Sequence, residues 1–227
     1  MNNKLDHIAL ILDGNKRWAK KNKYSNFKGY SKGFENIKNI VKCSLSLKLS
    51  NLTIFALSSE NFKRSSINTI YDIIYKNFSS IFDQLIKENG VKIKIFGSRN
   101  NLPKKILNIF ENIEKISSKN KILTLNIAFN YGFKDEIKVI LKKINKDKNK
   151  ININIDQEIN DLFFIGSIPD PDLLIRTGGH QRLSNFIMYN LTYTELFFTD
   201  TLWPDFAENE LKSIIDKYNK IERNYGL

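Results

Sequence analysis

Short apolar runs alternate along the chain with longer segments in which apolar residues recur every three or four positions. The runs predict buried strands, and the longer segments predict helices with one apolar face. Six strands are predicted, at His7–Leu12, Leu52–Ala56, Val91–Phe96, Leu123–Phe129, Leu173–Ile175 and near Leu196–Phe198. Strands that alternate with helices indicate the α/β class. We therefore expect one domain over residues 1–227, with a mostly parallel six-stranded sheet flanked by helices.

The helical segments complete this alternation. They are predicted at Trp18–Lys21, Phe34–Leu49, Ser66–Glu88, Pro103–Lys115, Asp135–Ile144, Asp156–Phe164 and Glu208–Tyr225. The longest, Ser66–Glu88, is apolar around much of its circumference, which ordinary core packing explains best. One wall of an internal apolar cavity would give the same pattern. The Lys- and Asn-rich stretch Lys146–Asn154 is expected to be a mobile surface loop.

The composition is globular, but the charge is unusual. A formal net charge of +12 agrees with binding to nucleic acid, an anionic membrane surface or phosphorylated ligands, and equally with lysines that only decorate a solvated surface. The single cysteine, Cys43, excludes a disulfide within the chain and indicates a reducing compartment. Because no apolar stretch is long enough to span a membrane and no signal peptide is recognisable, we expect a cytoplasmic protein.

Polar side chains follow several of the predicted strands. They are grouped in Asp13–Trp18 after the first strand, Ser58–Arg64 after the second, Asn130–Gly132 after the fourth and Arg176–Asn185 after the fifth, with Glu195 at the start of the sixth. In open α/β sheets, ligands bind beyond the carboxyl ends of the strands. Each group alone is typical of a turn, but their regular order along one sheet edge predicts a binding site there.

The residue types at this edge predict an anion site with a metal ion. Arginine side chains, supplied by Arg17, Arg64, Arg176 and Arg182, match phosphate oxygens with paired hydrogen bonds. Gly14, Gly178 and Gly179 are expected to let backbone N–H groups approach the anion. Asp13 and Glu195 are the carboxylates expected in the same zone, and one or two carboxylates with substrate phosphate oxygens are the usual ligands of Mg²⁺. The chain has no dinucleotide-binding or P-loop glycine motif and no Cys/His spacing for zinc.

Five stretches together resemble the cis-prenyltransferases, the family of the bacterial undecaprenyl diphosphate synthases. They are HIALILDGNKRWAKK, FALSSENFKRS, LTLNIAFNYG, DLLIRTGGHQRLSNF and YTELFFTDTLWPDF, and the similarity runs from His7 to Tyr225. The aspartate-rich D-D-x-x-D motif of the trans-prenyltransferases is missing from the sequence. The combination is therefore specific for the cis family.

The resemblance implies a fold and a reaction. The fold is a parallel sheet with flanking helices and a hydrophobic tunnel, in a homodimer. The reaction is the Mg²⁺-dependent, repeated condensation of isopentenyl diphosphate onto an allylic diphosphate primer, commonly farnesyl diphosphate, with each new double bond cis. The implied product is undecaprenyl diphosphate, the precursor of the cell-wall lipid carrier. Its long apolar chain implies peripheral contact with the inner membrane face, and no nucleic acid is involved.

Residue roles follow from the same resemblance. Asp13 and Asn61 are the implied catalytic residues, and Asp13 with Glu195 would hold the metal. The diphosphate of the primer would contact Gly14 to Arg17, and Arg176, Arg182 and Ser184 would bind isopentenyl diphosphate. The full set of implied substrate-binding residues is Gly14, Asn15, Lys16, Arg17, Trp18, Asn26, Tyr30, Ser58, Ser59, Glu60, Phe62, Arg64, Arg176, Arg182, Leu183 and Ser184.

The chain also departs from the family pattern. The family usually has Arg at Asn26, His at Tyr30 and Glu at His180, and the first two normally assist at the primer diphosphate. Ser65 and Phe133-Lys134 depart as well. One alternative is therefore a catalytically weak member that acts as a partner subunit. A second alternative is a basic nucleic-acid-binding protein, which would explain the charge but not the residues after the strands.

Overall fold

Six parallel strands form the centre of the structure, a computed structural model that describes residues 5–62, 67–146 and 156–222. The strands are β1 (His7–Ile11), β2 (Asn51–Ser58), β3 (Val91–Phe96), β4 (Leu123–Tyr131), β5 (Leu173–Arg176) and β6 (Glu195–Phe198). Their order is β3-β4-β2-β1-β5-β6, and every pair is parallel. The predicted α/β class is confirmed, and the sheet is wholly rather than mostly parallel.

Eight α-helices connect or flank the strands in the described residues. They are α1 (Asn15–Lys21), α2 (Asn26–Ser46), α3 (Ser59–Phe62), α4 (Ile67–Asn89), α5 (Lys104–Ser117), α6 (Phe133–Lys146), α7 (Asp156–Asn160) and α8 (Glu208–Tyr218), with 3₁₀-helices at Met188–Leu191 and Trp203–Asp205. The short helix α3 was not predicted, and α8 ends seven residues before the predicted end at Tyr225. The predicted loop Lys146–Asn154 lies, from residue 147 onwards, outside the described residues.

Apolar side chains cover both faces of the sheet. On β1, Ile8 and Leu10 join one cluster of buried residues, whereas Ala9 and Ile11 join the other. Successive side chains of a strand point to opposite faces, so a strand buried on both faces is apolar throughout. This explains why the continuous run HIALI identified a strand. None of the described helices is both long and apolar enough to cross a bilayer.

Helix α2 begins at Asn26, eight residues before the predicted start at Phe34. The first two turns are polar and contain Gly29 and Gly33, which weaken a helix pattern. Both glycines are needed for contact with α1, since a Cβ atom at Gly29 would lie 2.4 Å from the Asn15 carbonyl oxygen. Ser25 begins the helix by accepting a hydrogen bond from the Lys28 amide at 3.3 Å. The close packing places α1, which carries Arg17, against the start of α2.

A buried carboxyl group anchors the helix that follows β4. Glu136 of α6 accepts a 2.6 Å hydrogen bond from the Tyr131 hydroxyl and a 2.7 Å hydrogen bond from the Phe164 amide. Burial raises the pKa of Glu136 above its ordinary value, and these two hydrogen bonds offset only part of the effect. The folded state therefore holds a proton on this carboxyl more tightly than the unfolded chain does.

The raised pKa of Glu136 predicts a pH-dependent contribution to stability. The contribution is fully present below the ordinary carboxyl pKa of about 4.3 and is lost as the pH rises through the higher pKa of the folded state. The contribution of Glu136 is measured by urea unfolding of the wild type and of Glu136→Gln between about pH 4 and pH 7. The free energy of unfolding of the wild type, minus that of the variant, is expected to fall with rising pH. A difference that is constant or increases would contradict the prediction, and Glu111→Gln on the exposed side of α5 is the control.

Candidate active site

A polar cavity of about 570 Å³ lies at the carboxyl edge of the sheet, where β2, β1 and β5 end side by side. Most of its polar lining comes from the ends of these three strands and the segments that follow them: Asp13, Gly14, Asn15, Lys16 and Arg17 at β1, Ser58, Glu60 and Asn61 at β2, and Arg176, Arg182, Ser184 and Asn185 at β5. The parallel topology explains the convergence, since strands that run in one direction end at one edge. The structure thus brings most of the predicted site residues together.

Asp13 lies between two arginines in this cavity. Its Oδ2 accepts a 2.8 Å hydrogen bond from Nη2 of Arg176, and its Oδ1 lies 3.2 Å from Nη2 of Arg17. Burial raises the pKa of the Asp13 carboxyl, but the hydrogen bond from Arg176 and the charge of Arg17 lower it by more. The net pKa is below the ordinary value, so Asp13 is an anion at neutral pH.

Arg176 is the buried cation of the site, with a side chain that is only 4% exposed. Its Nη1 donates to Oγ of Ser184 at 2.7 Å and also to the carbonyl oxygen of Arg182. Its Nε has no hydrogen-bond acceptor within the described part of the chain. Burying a guanidinium group costs free energy unless its N–H groups are paired, so this arginine is suited to bind an anionic ligand.

The two glycines after β5 have a different role from the one predicted. The amides of Gly178 and Gly179 donate to the carbonyl oxygens of Thr201 and Thr199, at 2.8 Å each, so they do not point to the cavity. A Cβ atom at Gly178 would lie 2.5 Å from Nη2 of Arg17, and Nη1 of Arg17 donates to the Gly178 carbonyl at 2.6 Å. The glycine is therefore needed to make room for Arg17, and the expectation of free amides was wrong for this pair.

An apolar cavity of about 80 Å³ adjoins the polar one. Both cavities are lined by Leu12, Asn15, Tyr30, Ala56 and Ile70. The apolar one is further lined by Phe34, Ile73, Ile74, Phe82, Phe110 and Phe129. Helix α4 therefore supplies a cavity wall as well as core residues such as Leu85. A space of this size is much smaller than a long isoprenoid chain, so the tunnel remains a prediction.

The backbone explains why Ala56 faces the cavities. The pairing of β2 with β4 shifts between Phe55 and Leu57, so that Ala56 has no partner on β4. Such a bulge turns a side chain away from its normal direction in the sheet and is frequent next to active sites. Ala56 is exposed between buried neighbours, and its small side chain leaves the passage between the two cavities open.

Five predicted substrate-binding residues do not line either cavity: Trp18, Asn26, Ser59, Phe62 and Leu183. Trp18 is buried and donates from Nε1 to Oδ1 of Asp205 at 2.6 Å, so it faces the 3₁₀-helix at Trp203–Asp205. Phe62 and Leu183 pack against the two apolar clusters, one on each side of the sheet. Asn26 is exposed at the start of α2. Arg64 lies outside the described residues.

Glu195 is not close to Asp13 in the folded structure of one chain. It is the first residue of β6, paired with Leu173, which in turn is paired with Ile8 near the start of β1. Because β6 is parallel to β1, Glu195 lies at the amino edge of the sheet, whereas Asp13 follows the carboxyl end of β1. The expectation that the two carboxylates share one zone is therefore wrong within one chain.

Some residues of the site had no predicted role. Thr177 joins the ends of β5 and β1, since its Oγ1 accepts from the Asp13 amide at 3.0 Å and lies 2.9 Å from the Asp13 carbonyl oxygen. Asn185 lines the polar cavity, and Asp135 accepts a hydrogen bond from Ser59 at 2.8 Å. All three lie in or next to the matching motifs, but their residue types alone are typical of turns.

The fold and the cavity define an α/β protein with an arginine-lined polar cavity at the carboxyl edge of its sheet. The model of the family described as "Putative undecaprenyl diphosphate synthase" matches residues 11–226. The chain belongs to this family, the cis-prenyltransferases, and the resemblance seen in the sequence is confirmed. Transfer of prenyl groups in isoprenoid synthesis is the activity of this class of enzyme.

Individual relatives cover nearly the whole chain. An isoprenyl transferase of Aquifex pyrophilus is 35% identical over 224 residues, which are 97% of this chain and 95% of that protein. The ditrans,polycis-undecaprenyl-diphosphate synthase ((2E,6E)-farnesyl-diphosphate specific) of Wigglesworthia glossinidia brevipalpis is 41% identical over 231 residues, covering 99% and 88%. The crystal structure of lavandulyl diphosphate synthase from Lavandula x intermedia in complex with dimethylallyl diphosphate has a TM-score of 0.89 and 30% identity, covering 98% of both chains.

Proposed function

We propose that this chain condenses isopentenyl diphosphate repeatedly onto an allylic diphosphate primer and forms a cis double bond at each step. The observation that carries the proposal is the junction of the two cavities at Ala56, where an arginine-lined polar cavity opens onto an apolar one. A prenyl diphosphate has a charged head and an apolar tail, so it matches both. The motifs shared with the family support the same reaction.

The proposed mechanism assigns the binding of the two substrates to different segments. Arg17, with Asn15 and Lys16 beside it, binds the primer diphosphate, and Arg176 with Arg182 and Ser184 binds that of isopentenyl diphosphate. Paired guanidinium groups favour the charge that develops on the departing diphosphate of the primer. Asn61 lines the same cavity near the proposed position of the proton that is lost. A neutral amide is a poor base, so Asn61 is proposed to orient the reacting atoms.

Mg²⁺ is proposed as the cofactor, held by Asp13. Among the described residues, no three His, Cys, Asp or Glu side chains lie close enough to hold a metal ion by themselves. An ionised Asp13 in a cavity for diphosphates fits the other common arrangement, in which one carboxylate and substrate phosphate oxygens bind Mg²⁺. The ion would neutralise charge on the leaving diphosphate. Glu195 is not part of this proposal within one chain, because of its position at the opposite edge.

The proposed primer is farnesyl diphosphate and the proposed product is undecaprenyl diphosphate, the precursor of the cell-wall lipid carrier. The Wigglesworthia relative is named for this primer and product, and it shares 41% identity with the chain. A long product requires the apolar cavity to extend into a tunnel. Helices α2 and α4 would have to move apart to form it. At present Phe34 of α2 and Phe82 of α4 are in edge-to-face contact, with 5.8 Å between their ring centroids.

We further propose a homodimer that forms along β6. This strand is the last in the sheet, and in the described part of the chain one of its edges is unpaired. Leu196 in the strand and Tyr193 just before it are 44% and 62% exposed. Exposed strand edges with apolar side chains favour pairing with another chain. In sedimentation velocity, the wild type is expected at twice the mass of the 26.5 kDa chain, and Leu196→Arg is expected as a monomer. Leu141→Arg, on the exposed side of α6, is the control, and loss of the dimer in this control alone would contradict the proposed face.

Peripheral contact of a cytoplasmic enzyme with the inner membrane face also remains a proposal. The segment from residue 15 to residue 34 has no acidic residue and carries Lys16, Arg17, Lys20, Lys21, Lys23, Lys28 and Lys32. Clusters of this kind are attracted to anionic lipids. Sedimentation with anionic vesicles, compared with neutral ones at the same salt concentration, tests the contact, and equal binding to both would count against it.

Incubation with farnesyl diphosphate, radiolabelled isopentenyl diphosphate and Mg²⁺ tests the proposed function. Long-chain label that disappears on metal chelation is the expected result, and chromatography of the extract gives the chain length. The absence of label from folded protein with several primers would contradict a self-sufficient enzyme. The alternative of a catalytically weak partner subunit, with Asn26, Tyr30 and His180 as the deficient positions, would then be favoured. Salt-sensitive retention on RNA or DNA would favour the alternative of a nucleic-acid-binding protein.

A further inference from the structure

Asn185 binds the first amides of helix α6. Its backbone carbonyl accepts from the Phe133 amide at 2.9 Å, and its Oδ1 accepts from the Lys134 amide at 2.9 Å. The first amides of a helix have no partner inside the helix. Asn185 therefore supplies, from a distant part of the sequence, the acceptors that a capping residue would normally provide.

The remaining polar group of the same side chain reaches another helix. Nδ2 of Asn185 donates to Oε1 of Glu60 in α3 at 2.8 Å. A direct hydrogen bond from α3 to α6 joins Ser59 Oγ to Asp135 Oδ2 at 2.8 Å. Gly132 lies between them, since a Cβ atom there would be 2.6 Å from Ser59 Oγ and 2.7 Å from Asn185 Nδ2. Asn185 thus connects α3, which carries Asn61, with the start of α6.

The backbone at this point is in an unfavourable conformation. Ser184 and Asn185 have φ angles of +52° and +64°, in the left-handed region. Non-glycine residues other than asparagine and aspartate rarely adopt this region, so the strain lies mainly at Ser184. Ser184 is held there by the hydrogen bond from Arg176, and Asn185 by its contacts with α3 and α6. Such strain persists only where the surroundings impose it, and it is concentrated at functional sites.

Direct contacts therefore run from one side of the polar cavity to the other. Asp13 contacts Arg176, and Arg176 contacts Ser184. Asn185, the next residue, contacts Glu60. Under the proposed function, Arg176 and Ser184 in this series of contacts bind isopentenyl diphosphate. Glu60, at its other end, belongs to α3, which carries Asn61.

We infer that Asn185 is a positioning residue that couples the isopentenyl diphosphate site to helix α3. The inference rests on the proposed function and adds a role for a residue that does not take part in the chemistry. A diphosphate bound by Arg176 and Arg182 holds Ser184 and Asn185 in place, and the amide of Asn185 then holds Glu60 and with it Asn61. The orientation of Asn61 during the reaction depends on this link.

A purely structural role, the capping of α6, makes a different prediction. Asn185→Asp keeps both acceptors for α6, and a carboxylate at a helix N-terminus is favourable. The same change replaces the Nδ2 donor by an oxygen that faces the carboxylate of Glu60. It therefore removes the link to α3 and leaves the cap of α6 in place. The gain at the helix N-terminus opposes the repulsion from Glu60, so urea unfolding is expected to show little net change in stability.

A double-mutant cycle tests the coupling. Turnover and the KM for each substrate are measured for the wild type, Asn185→Asp, Glu60→Gln and the double variant. Asn185→Asp is expected to lower kcat about tenfold, with a smaller effect on the KM for the primer. In the double variant the new amide at position 60 donates to the new carboxylate at position 185, so kcat is expected to recover to within about threefold of that of Glu60→Gln. Asn219→Asp, an exposed residue after α8, is the control for the substitution itself.

Two outcomes would overturn the inference. If the effects of the two single changes multiply in the double variant, Asn185 and Glu60 are not coupled. If Asn185→Asp lowers only the stability and leaves kcat unchanged, the residue has a structural role alone. Absence of turnover in the wild type would instead contradict the proposed function, and the two failures are therefore distinguishable.

Discussion

Replacing Asp13 by asparagine is expected to lower the rate of prenyl chain elongation by about 10²–10³-fold. Asparagine has nearly the same size, but it removes the one charge that Arg17 and Arg176 share in the cavity. It also removes the proposed ligand of Mg²⁺, and an amide oxygen is a weaker ligand for this ion. The rate is measured with labelled isopentenyl diphosphate over a range of Mg²⁺ concentrations, and the variant should need more Mg²⁺ for half of its maximal rate.

Two controls separate this effect from a loss of folding. Without Asp13, the buried Arg176 has no anion beside it, and a loss of about 1–3 kcal/mol in the free energy of unfolding is expected. Urea unfolding shows whether the variant is folded in the assay. Asp216→Asn, on the exposed side of α8, should keep the full rate. An Asp13→Asn enzyme that retains a third of the activity at the same Mg²⁺ concentration would contradict the proposed role.

Enlarging the side chain at Ala56 is expected to shorten the product. Ala56 lies at the bulge in β2 and lines both cavities, so a large side chain there narrows the passage through which the growing tail would move. Ala56→Phe should release products of the first condensations instead of the long chain. Since the charged and polar side chains of the polar cavity are unchanged, the first condensation is expected to continue at a rate within about threefold of the wild type. A shift to products at least several isoprene units shorter would be seen by chromatography.

A series of sizes at this position gives the control. Ala56→Ser adds one oxygen atom and should leave the product length unchanged, whereas valine should have an intermediate effect. Overpacking costs about 1–3 kcal/mol in a closed core, but less is expected here because Ala56 faces open space. Unfolding in urea checks this. If Ala56→Phe makes the same long product as the wild type, the tail does not pass Ala56, and the apolar cavity is not its path.

The local sequence pattern was sufficient for the fold class and for most element boundaries. Strands buried on both faces require continuous apolar runs, and amphipathic helices require a spacing of three or four, so HIALI and Ile67–Asn89 were recognisable without tertiary information. The start of α2 was missed because Gly29 and Gly33 are unfavourable in an isolated helix. These positions need glycine because of close packing: a Cβ atom at Gly29 would lie 2.4 Å from the Asn15 carbonyl oxygen. This requirement arises only when α1 is packed against α2.

The features of the candidate active site also divide into those that the sequence determined and those that only the tertiary structure decided. The sequence by itself determined which residues follow the ends of β1, β2 and β5, and the rule that parallel strands end at one edge was enough to bring Asp13, Asn61 and Arg176 together. Only the tertiary structure decided what depends on register and on contacts between distant segments. It placed Glu195 at the start of β6, directed the amides of Gly178 and Gly179 to other carbonyls, and turned Ala56 to the cavities. A sequence pattern records the periodicity of one segment, whereas these features depend on the alignment of one segment against another.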